Sequence, residues 1–177
     1  MAVQIGAKLD SGFDDPIGML RDCHRRIERF LGILCQLAER GPSGTLTGEE
    51  SNAVLAALQY FRVGGQRHTA DEEESLFPRL RGAIHEGSSE AIDRLENDHR
   101  ETNDLHEAVD RLYSEWISTG TLSPEDRQSL SLKTSLLRHL YTEHIQTEET
   151  SVFPQASQLL DRDAIAAIGA EFRARRK

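Results

Sequence analysis

Apolar residues recur at spacings of three and four along most of the chain, which is the period of an α-helix with one buried face. The first stripe follows Asp14-Asp15-Pro16, where an acidic cap and a first-turn proline favour the start of a helix. Its members are Ile17, Leu20, His24, Ile27, Leu31 and Leu34. One histidine therefore occupies a position that the pattern otherwise gives to apolar side chains.

Three more long stripes follow, each with its own start signal. The second begins at a capping box over residues 47–50, the third follows a turn at residues 87–89, and the fourth begins at Ser123-Pro124. Proline disfavours α-helical geometry at the residue before it. We therefore expect the second helix to end or kink at Phe77-Pro78 and the fourth at Phe153-Pro154.

These elements predict an all-α protein. Four long helices with short connections favour an up-and-down four-helix bundle of two repeated helical hairpins, over residues 14–160. A short C-terminal helix, over residues 161–177, is expected to pack on the bundle or trail from it. The basic residues in its last turn complement the helix dipole. A chain of 177 residues has the size of one domain.

Composition narrows the partners and the location. A net charge of −9 argues against nucleic acid as a partner, because phosphate binding needs a basic face. No apolar run reaches the ~18 residues of a membrane-spanning helix, and the first ten residues lack the apolar core of a signal peptide. We therefore expect a cytoplasmic protein with no membrane partner. Cys23 and Cys35 lie too far apart on one predicted helix to form a disulfide, and we expect buried, reduced thiols.

An eleven-residue segment occurs twice in the chain. The segment from His68 to Pro78 and the segment from His144 to Pro154 are identical at six of eleven positions. His24 and His99 repeat in the same way, each with a leucine four residues before it. A repeat of packing alone would preserve apolar residues first, whereas the identical positions include one histidine, two glutamates and a serine. The repetition of polar residues indicates a shared site.

The repeated residues form a candidate metal site. Residues four apart lie on one face of a helix, so His68 neighbours Glu72 and His144 neighbours Glu148. With the two stripe histidines, six groups are expected to converge in the core: His24, His68, Glu72, His99, His144 and Glu148. Two metal ions would satisfy all six, with two histidines for each ion and both glutamates able to bridge. Imidazole and carboxylate suit iron, zinc, manganese or nickel.

Alternatives remain open at this point. The six groups could form a hydrogen-bonded polar core or a site for a single ion. A ferritin-like di-iron site needs Glu-x-x-His twice, and the chain has it once, at Glu96 and His99. Of the remaining histidines, His106 is expected to lie in the core near the site, and His85 and His139 at the periphery. Glu28, one turn after His24, is expected on the surface.

These residues resemble the hemerythrin-like family in its His-His-Glu cation-binding form. The resemblance covers His24, His68-x-x-x-Glu72, His99 and His144-x-x-x-Glu148, and spans nearly the whole bundle. It implies a non-haem di-iron centre bridged by an oxo or hydroxo group, with zinc or manganese as alternative metals. In family terms the four histidines are metal ligands, and Glu72 and Glu148 are bridges.

Two positions depart from symmetry or from the family pattern. Oxygen-carrying hemerythrins place a histidine one turn after the third-helix ligand, where this chain has Asn103. The resemblance therefore implies a more open centre rather than simple oxygen carriage. Gly65 lies three residues before His68, whereas Tyr141 lies three before His144. Gly65 could leave space beside one metal, and Tyr141 could close the other side or bond a bound ligand. Either residue could equally serve packing alone.

Three functions fit these features. The first is a di-iron protein that binds dioxygen, nitric oxide or a related small ligand for sensing, storage or detoxification, with a protein partner if it is a sensor. The second is a di-iron oxidoreductase acting on peroxide, oxygen or nitric oxide. The third is a structural zinc-binding bundle, since the same side chains suit zinc.

Overall fold

A computed structural model describes residues 10–40, 44–84 and 89–177. Every regular element in these ranges is a helix, so the prediction of an all-α bundle with a short C-terminal helix is confirmed. His85 lies outside the described residues.

The first and third helices of the bundle are uninterrupted. Helix α1 spans Pro16–Glu39 and α5 spans Glu90–Thr119. The start of α1 follows from its cap, because the Asp15 carboxylate accepts a hydrogen bond from the Gly18 amide at 2.9 Å. The end of α5 follows from Gly120, whose φ of 78° is open to glycine at little steric cost.

The second and fourth helices are runs of α and π segments. The second run comprises α2 (Gly48–Gln59), π1 (Tyr60–Gly65), α3 (Gln66–Asp71), π2 (Glu72–Leu76) and α4 (Phe77–Ala83). The fourth comprises α6 (Pro124–Thr147), π3 (Glu148–Val152) and α7 (Phe153–Leu159). The predicted starts are observed: the capping box joins Thr47 and Glu50, and Ser123 caps α6.

Of the two outcomes expected at Phe77-Pro78 and Phe153-Pro154, an end of the helix is wrong, and an irregular π turn lies before each proline instead. The amide of Phe77 bonds the carbonyl of Glu72, five residues back, and the amide of Phe153 bonds Glu148 in the same way. These widened π turns precede each proline. Each proline then lies in the first turn of the next α segment. The chain thereby continues as helix on both sides of the proline.

The four helices pack as a ring around two apolar clusters. α1 contacts α2 and α6, and α5 packs closely on α6 but only loosely on α2. The larger cluster includes Ile27, Leu112 and Leu137, and the smaller includes Leu20, Phe77 and Phe153. The histidines and glutamates singled out in the sequence lie between the two clusters along the helices. A polar layer is therefore enclosed by apolar layers above and below.

The C-terminal helix α8 (Arg162–Ala174) packs against α1 and the second helix. Its Ile168 and Phe172 are fully buried in the smaller apolar cluster. Gly169 lets α8 approach the chain before α1, because a Cβ atom there would lie 1.9 Å from the Phe13 carbonyl oxygen. Among the helices of the described residues, none is both long enough and apolar enough to span a bilayer.

Candidate metal centre

The six residues predicted from the repeat lie in two groups that share one residue. His24, His68, Glu72 and Glu148 form one group, and Glu72, His99 and His144 form the other. Within each group the donor atoms lie within 4.8 Å of one another. All four helices of the bundle contribute, and Glu72 belongs to both groups. The Glu72 carboxylate therefore lies between two groups of atoms that could hold a metal ion.

The distances between donor atoms match those of ligands on a common ion. His24 Nε2 lies 3.0 Å from Glu148 Oε2, and His144 Nε2 lies 3.4 Å from that same oxygen. Glu72 places Oε1 3.3 Å from His68 Nε2 and Oε2 3.4 Å from His99 Nε2. Donors about 2.1 Å from one ion lie about 3.0 Å apart at right angles and about 3.4 Å apart at tetrahedral angles. The spacing of the donor atoms is therefore compatible with metal ligands.

The buried donor atoms lack the hydrogen bonds that a polar core would need. Among the described residues, none of the four carboxylate oxygens of Glu72 and Glu148 makes a hydrogen bond of standard geometry, and neither does His24 Nε2, although imidazole nitrogens lie within ion-pair distance of the carboxylates. Each of these atoms has less than 1 Å² exposed. Buried polar atoms are hydrogen-bonded in the great majority of cases, so such a cluster calls for a partner of another kind. A cation is the partner that anionic oxygens and imidazole nitrogens share. The interpretation as a hydrogen-bonded polar core is therefore disfavoured.

The pKa values of the two glutamates are shifted in opposite directions. Burial, reinforced by the charge of Glu148, raises the pKa of Glu72 well above its usual range. Burial would also raise the pKa of Glu148, but contacts with His144 and His24 outweigh it and hold that pKa well below its usual range. Burial lowers the pKa of His68 well below its usual range. The two buried carboxylates therefore differ, since the surroundings of Glu72 favour its neutral form and those of Glu148 favour its charged form.

The π segments position the two glutamates. Glu72 is the first residue of π2 and Glu148 is the first residue of π3. Each π turn begins at a glutamate that lies four residues after a histidine, so the His-x-x-x-Glu pair keeps α-helical spacing. The residues after the glutamate are rotated around the helix axis relative to a regular α-helix. Single π turns inside α-helices occur frequently at functional sites. Both π turns here carry a candidate ligand.

Carboxylates outside the layer orient three of the four histidines. Glu149 Oε1 lies 2.8 Å from His24 Nδ1, and Glu73 Oε1 lies 2.8 Å from His99 Nδ1. Asp98 makes a longer contact of 3.4 Å with Nδ1 of His144. A carboxylate on Nδ1 favours the tautomer that leaves Nε2 free to bind a metal. His68 differs, because its Nδ1 has no hydrogen-bond partner among the described residues.

Two phenylalanines close the layer on the side of the smaller apolar cluster. The ring of Phe153 stacks on His24 at a centroid distance of 5.4 Å, and Phe77 stacks on His99 at 6.4 Å. Both come from the repeated Phe-Pro segment, and each contacts the histidine of the other hairpin. The Phe-Pro repeat therefore covers the site rather than marking a helix end.

The opposite side of the layer opens through a cleft between the second helix and α5. A cavity of about 270 Å³ is lined by His99 of the layer, by Glu73 outside it, and by Gly65, Asn103 and Tyr141. The Tyr141 hydroxyl lies 2.9 Å from His106 Nε2 at the floor of this cavity. The candidate centre is therefore accessible from its His99 side.

Comparison with known proteins agrees with this geometry. The hemerythrin HHE cation-binding domain matches residues 15–156, which is most of the chain. The chain belongs to the hemerythrin HHE family. It is also similar to a protein of Haemophilus influenzae (strain ATCC 51907 / DSM 11121 / KW20 / Rd) that is described as uncharacterized. The two are 29% identical over 167 residues, which covers 93% of this chain and 92% of that protein.

The HHE fold brings the sequence-predicted residues together, and it places the other candidates as follows. His139 is 66% exposed and Glu28 is on the surface, as expected. His106 lies beside Tyr141 rather than in either donor group.

Gly65 and Tyr141, expected on opposite sides of the centre, line the same cavity. Cys23 and Cys35 are buried free thiols. The role of the six donors as metal ligands stays a prediction.

The sequence interpretation missed the carboxylates that bind the histidines from outside. Glu73 and Glu149 were visible as repeated residues next to the candidate ligands, which was the available signal. Their role depends on which helix each faces, and the repeat alone does not show that. Asp98 has no repeated counterpart and gave no signal.

Proposed function

We propose that this HHE protein is a non-haem di-iron protein that binds dioxygen, nitric oxide or a related small ligand. His24 and His68 would hold one ion, His99 and His144 the other, and Glu72 and Glu148 would lie between the two. Bound iron would supply redox chemistry and coordination positions left open by these protein ligands. Sensing, storage and detoxification of the small ligand are all consistent with such a site.

The observation that carries the proposal is the position of the Glu72 carboxylate. One of its oxygens faces His68 and the other faces His99, at 3.3 and 3.4 Å, and neither makes a hydrogen bond of standard geometry with a described residue. A carboxylate so placed can serve two ions at once. Glu148 supports the same arrangement, because one of its oxygens is near both His24 and His144.

The protein's own residues have three roles in this proposal. The histidines and glutamates bind the ions, and Glu73 and Glu149 hold two of the imidazoles in the tautomer that binds through Nε2. Phe77 and Phe153 exclude water from the side facing the smaller apolar cluster. Tyr141 holds a hydroxyl at the floor of the open cavity, where it can donate to or accept from a small ligand.

The open cavity favours a ligand-binding centre over structural zinc. A structural zinc site is closed by four protein ligands and needs no access path. Here a cleft reaches His99, one of the proposed ligands. The same cleft supports the second candidate, an oxidoreductase acting on peroxide, oxygen or nitric oxide. The cytoplasmic location and the lack of a nucleic-acid partner remain predictions from the sequence.

Spectroscopy after anaerobic purification tests the proposal. The protein is loaded with ferrous iron, oxidised, and titrated with azide. We expect a new charge-transfer band that saturates with azide, and a reversible spectral change when the ferrous form meets nitric oxide. A protein that retains zinc in place of iron and gives no azide band contradicts the proposal. Repeated consumption of added peroxide by the iron form would favour the oxidoreductase.

A further inference from the structure

The cleft beside the candidate centre is longer than the cavity that reaches His99. A second cavity of about 370 Å³ adjoins it, and the two share four lining residues: Phe61, Gln66, Asn103 and His106. The outer cavity continues between the second helix and α5 toward Leu34, Leu58 and Val109. The two cavities therefore adjoin, and we call them together the cleft, with a largely apolar outer part and an inner end beside His99.

The size of this cleft exceeds what a diatomic ligand needs. A water molecule takes a share of about 30 Å³ in the liquid, and dioxygen or nitric oxide is of similar size. Sites for small organic molecules run from about 300 to 1,000 Å³ and are mostly apolar with a few placed polar groups. The outer cavity alone, at about 370 Å³, falls in that range. The passage of a gas does not account for it.

The cleft results from an asymmetry between the two hairpins. Gly65 ends the π1 segment, which has no counterpart in the described fourth helix, where the corresponding residue is Tyr141 in regular α6. A Cβ atom at Gly65 would meet only the Phe61 ring, at 3.6 Å. A larger side chain at this position would extend into the cleft. The glycine and the added π segment therefore keep open on one side a space that the other hairpin fills.

The buried part of the cleft lining favours a neutral ligand with a ring. Leu58 and Val109 are buried aliphatic side chains, and the rings of Phe61 and His106 lie side by side with a centroid distance of 4.6 Å. Burial lowers the pKa of His106 to about 4, so its ring is neutral at pH 7. The guanidinium of Arg62 is paired with both carboxylate oxygens of Asp110 at 2.6 Å. The other charged residues of the outer lining, Glu107 and Arg111, are exposed, so no unpaired charge lies among its buried described residues.

The polar end of the cleft can bind a hydroxyl group. Tyr141 and His106 share one hydrogen bond of 2.9 Å. Whichever of the two donates, the Tyr141 oxygen keeps a lone pair that can accept from a ligand. The amide side chains of Gln66 and Asn103 line the same stretch.

We propose that this cleft binds a neutral single-ring aromatic alcohol of the phenol class. Its ring would lie against Phe61 and His106, its apolar substituent would point toward Leu58 and Val109, and its hydroxyl would meet Tyr141 beside His99. The site is formed by protein side chains alone and does not rest on the metals. It extends the proposed function, because it places an organic molecule next to the candidate centre.

Binding of 4-methylphenol to the full-length protein tests this inference, by calorimetry and by ligand-observed NMR. We expect saturable binding in metal-loaded and in metal-free protein. Toluene, which lacks the hydroxyl, should bind about tenfold more weakly, the value of one hydrogen bond. In His106→Phe that difference should shrink, because Tyr141 loses the partner that orients its hydroxyl.

Asn103→Trp provides the blocking variant, since Asn103 is exposed and lines both cavities. We expect it to weaken 4-methylphenol binding by about tenfold or more. Glu28→Trp is the matched control: Glu28 holds the corresponding exposed position of the first hairpin and lies outside the cleft. Circular dichroism checks that both variants fold, and the control should bind like the unmodified protein.

The outcomes separate the two proposals. No saturable 4-methylphenol binding, or equal binding by Asn103→Trp and the unmodified protein, overturns the inference and leaves the metal centre untouched. Binding of 4-methylphenol by a protein that takes up no metal overturns the proposed function and supports the inference. Equal affinity for toluene and 4-methylphenol overturns the assignment to the phenol class.

Discussion

The carboxylate of Glu149 lies 2.8 Å from Nδ1 of His24, although 125 positions separate the two residues along the chain. The pair formed by Glu73 and His99 repeats this contact at the same distance. In each case the glutamate belongs to one hairpin and the histidine to the other. The two hairpins therefore complete each other's candidate ligands, and a single hairpin would lack these contacts.

Replacing Glu149 is expected to weaken metal binding without unfolding the protein. Glu149→Ala removes the acceptor that orients His24, and carboxylates in this role change metal affinity by about 10- to 100-fold. Competition with a chromogenic chelator measures the effect. Glu143→Ala is the control, since Glu143 lies on the same helix run with its side chain 52% exposed. An affinity of Glu149→Ala within twofold of the unmodified protein would show that the contact is incidental.

Removing the metal is expected to destabilise the fold. Glu72 and Glu148 are fully buried, and within the described residues their oxygens make no hydrogen bond of standard geometry that could replace an ion. Free metal at 100 times its dissociation constant stabilises a folded protein by about 2.7 kcal/mol for each site. Thermal unfolding with and without a chelator measures the loss, and added metal should restore it. Identical melting temperatures in both conditions would argue against a metal in this layer.

The C-terminal helix is expected to stabilise the segment that carries Glu72. Asp71, the residue before it, is fully buried, and its carboxylate binds Arg175 at 2.9 Å and Arg176 at 2.5 Å. Arg175 also bonds the Ser75 hydroxyl at 2.7 Å. The basic end of the chain thus binds π2 and its flank, a role that the dipole interpretation did not foresee.

The double variant Arg175→Ala with Arg176→Ala should lower the free energy of unfolding by about 3 kcal/mol, because it leaves a buried carboxylate without a partner. Urea denaturation measures this value. Arg162→Ala, at the exposed start of the same helix, should change it by less than about 0.5 kcal/mol. A double variant as stable as the control would mean that the ion pairs contribute nothing.

His106 is expected to make the protein acid-sensitive. Burial lowers its pKa to about 4 in the folded state, below the 6.5 of an unburied histidine. Between these values the unfolded chain binds a proton that the folded protein does not. The contribution of His106 to stability is therefore complete above pH 6.5 and is lost as the pH falls toward 4.

Urea denaturation of metal-free protein from pH 7 to pH 4 measures the contribution of His106 to the free energy of unfolding. The free energy of unfolding of the unmodified protein should fall by about 3 kcal/mol more than that of His106→Phe. Both proteins contain the other groups that titrate in this range, so the difference between their pH dependences of the free energy of unfolding reports His106 alone. A constant difference between the two proteins would show that His106 is not buried in its neutral form.

Local signals in the sequence were sufficient to predict the helix starts and the donor set. Asp15, Thr47 and Ser123 cap their helices through contacts that span three residues, so the sequence contains the whole interaction. The repeat identified Glu72 and Glu148 because duplicated polar residues have no packing role that would preserve them. Because each glutamate lies four residues after a histidine, helical geometry places the two side chains on the same face of the helix.

The remaining features depend on contacts that spacing does not reveal. A π turn adds one residue to a helix without changing the apolar pattern enough to be recognised, so Phe77-Pro78 was interpreted as an end or a kink. The cleft depends on how closely α2 approaches α5, which is set by packing over the whole bundle. The contacts of Arg175 with π2 join residues about a hundred positions apart, beyond any local pattern.

The metal content of the anaerobically purified protein, measured by mass spectrometry beside its His68→Ala and Glu148→Ala variants, tests the central claim most directly. The claim is that four histidines and two glutamates form one dinuclear centre. We expect two metal ions per chain in the unmodified protein and fewer than two in each variant, with circular dichroism showing that all three are folded. Fewer than two ions in the unmodified protein, or two ions retained after either substitution, would contradict it.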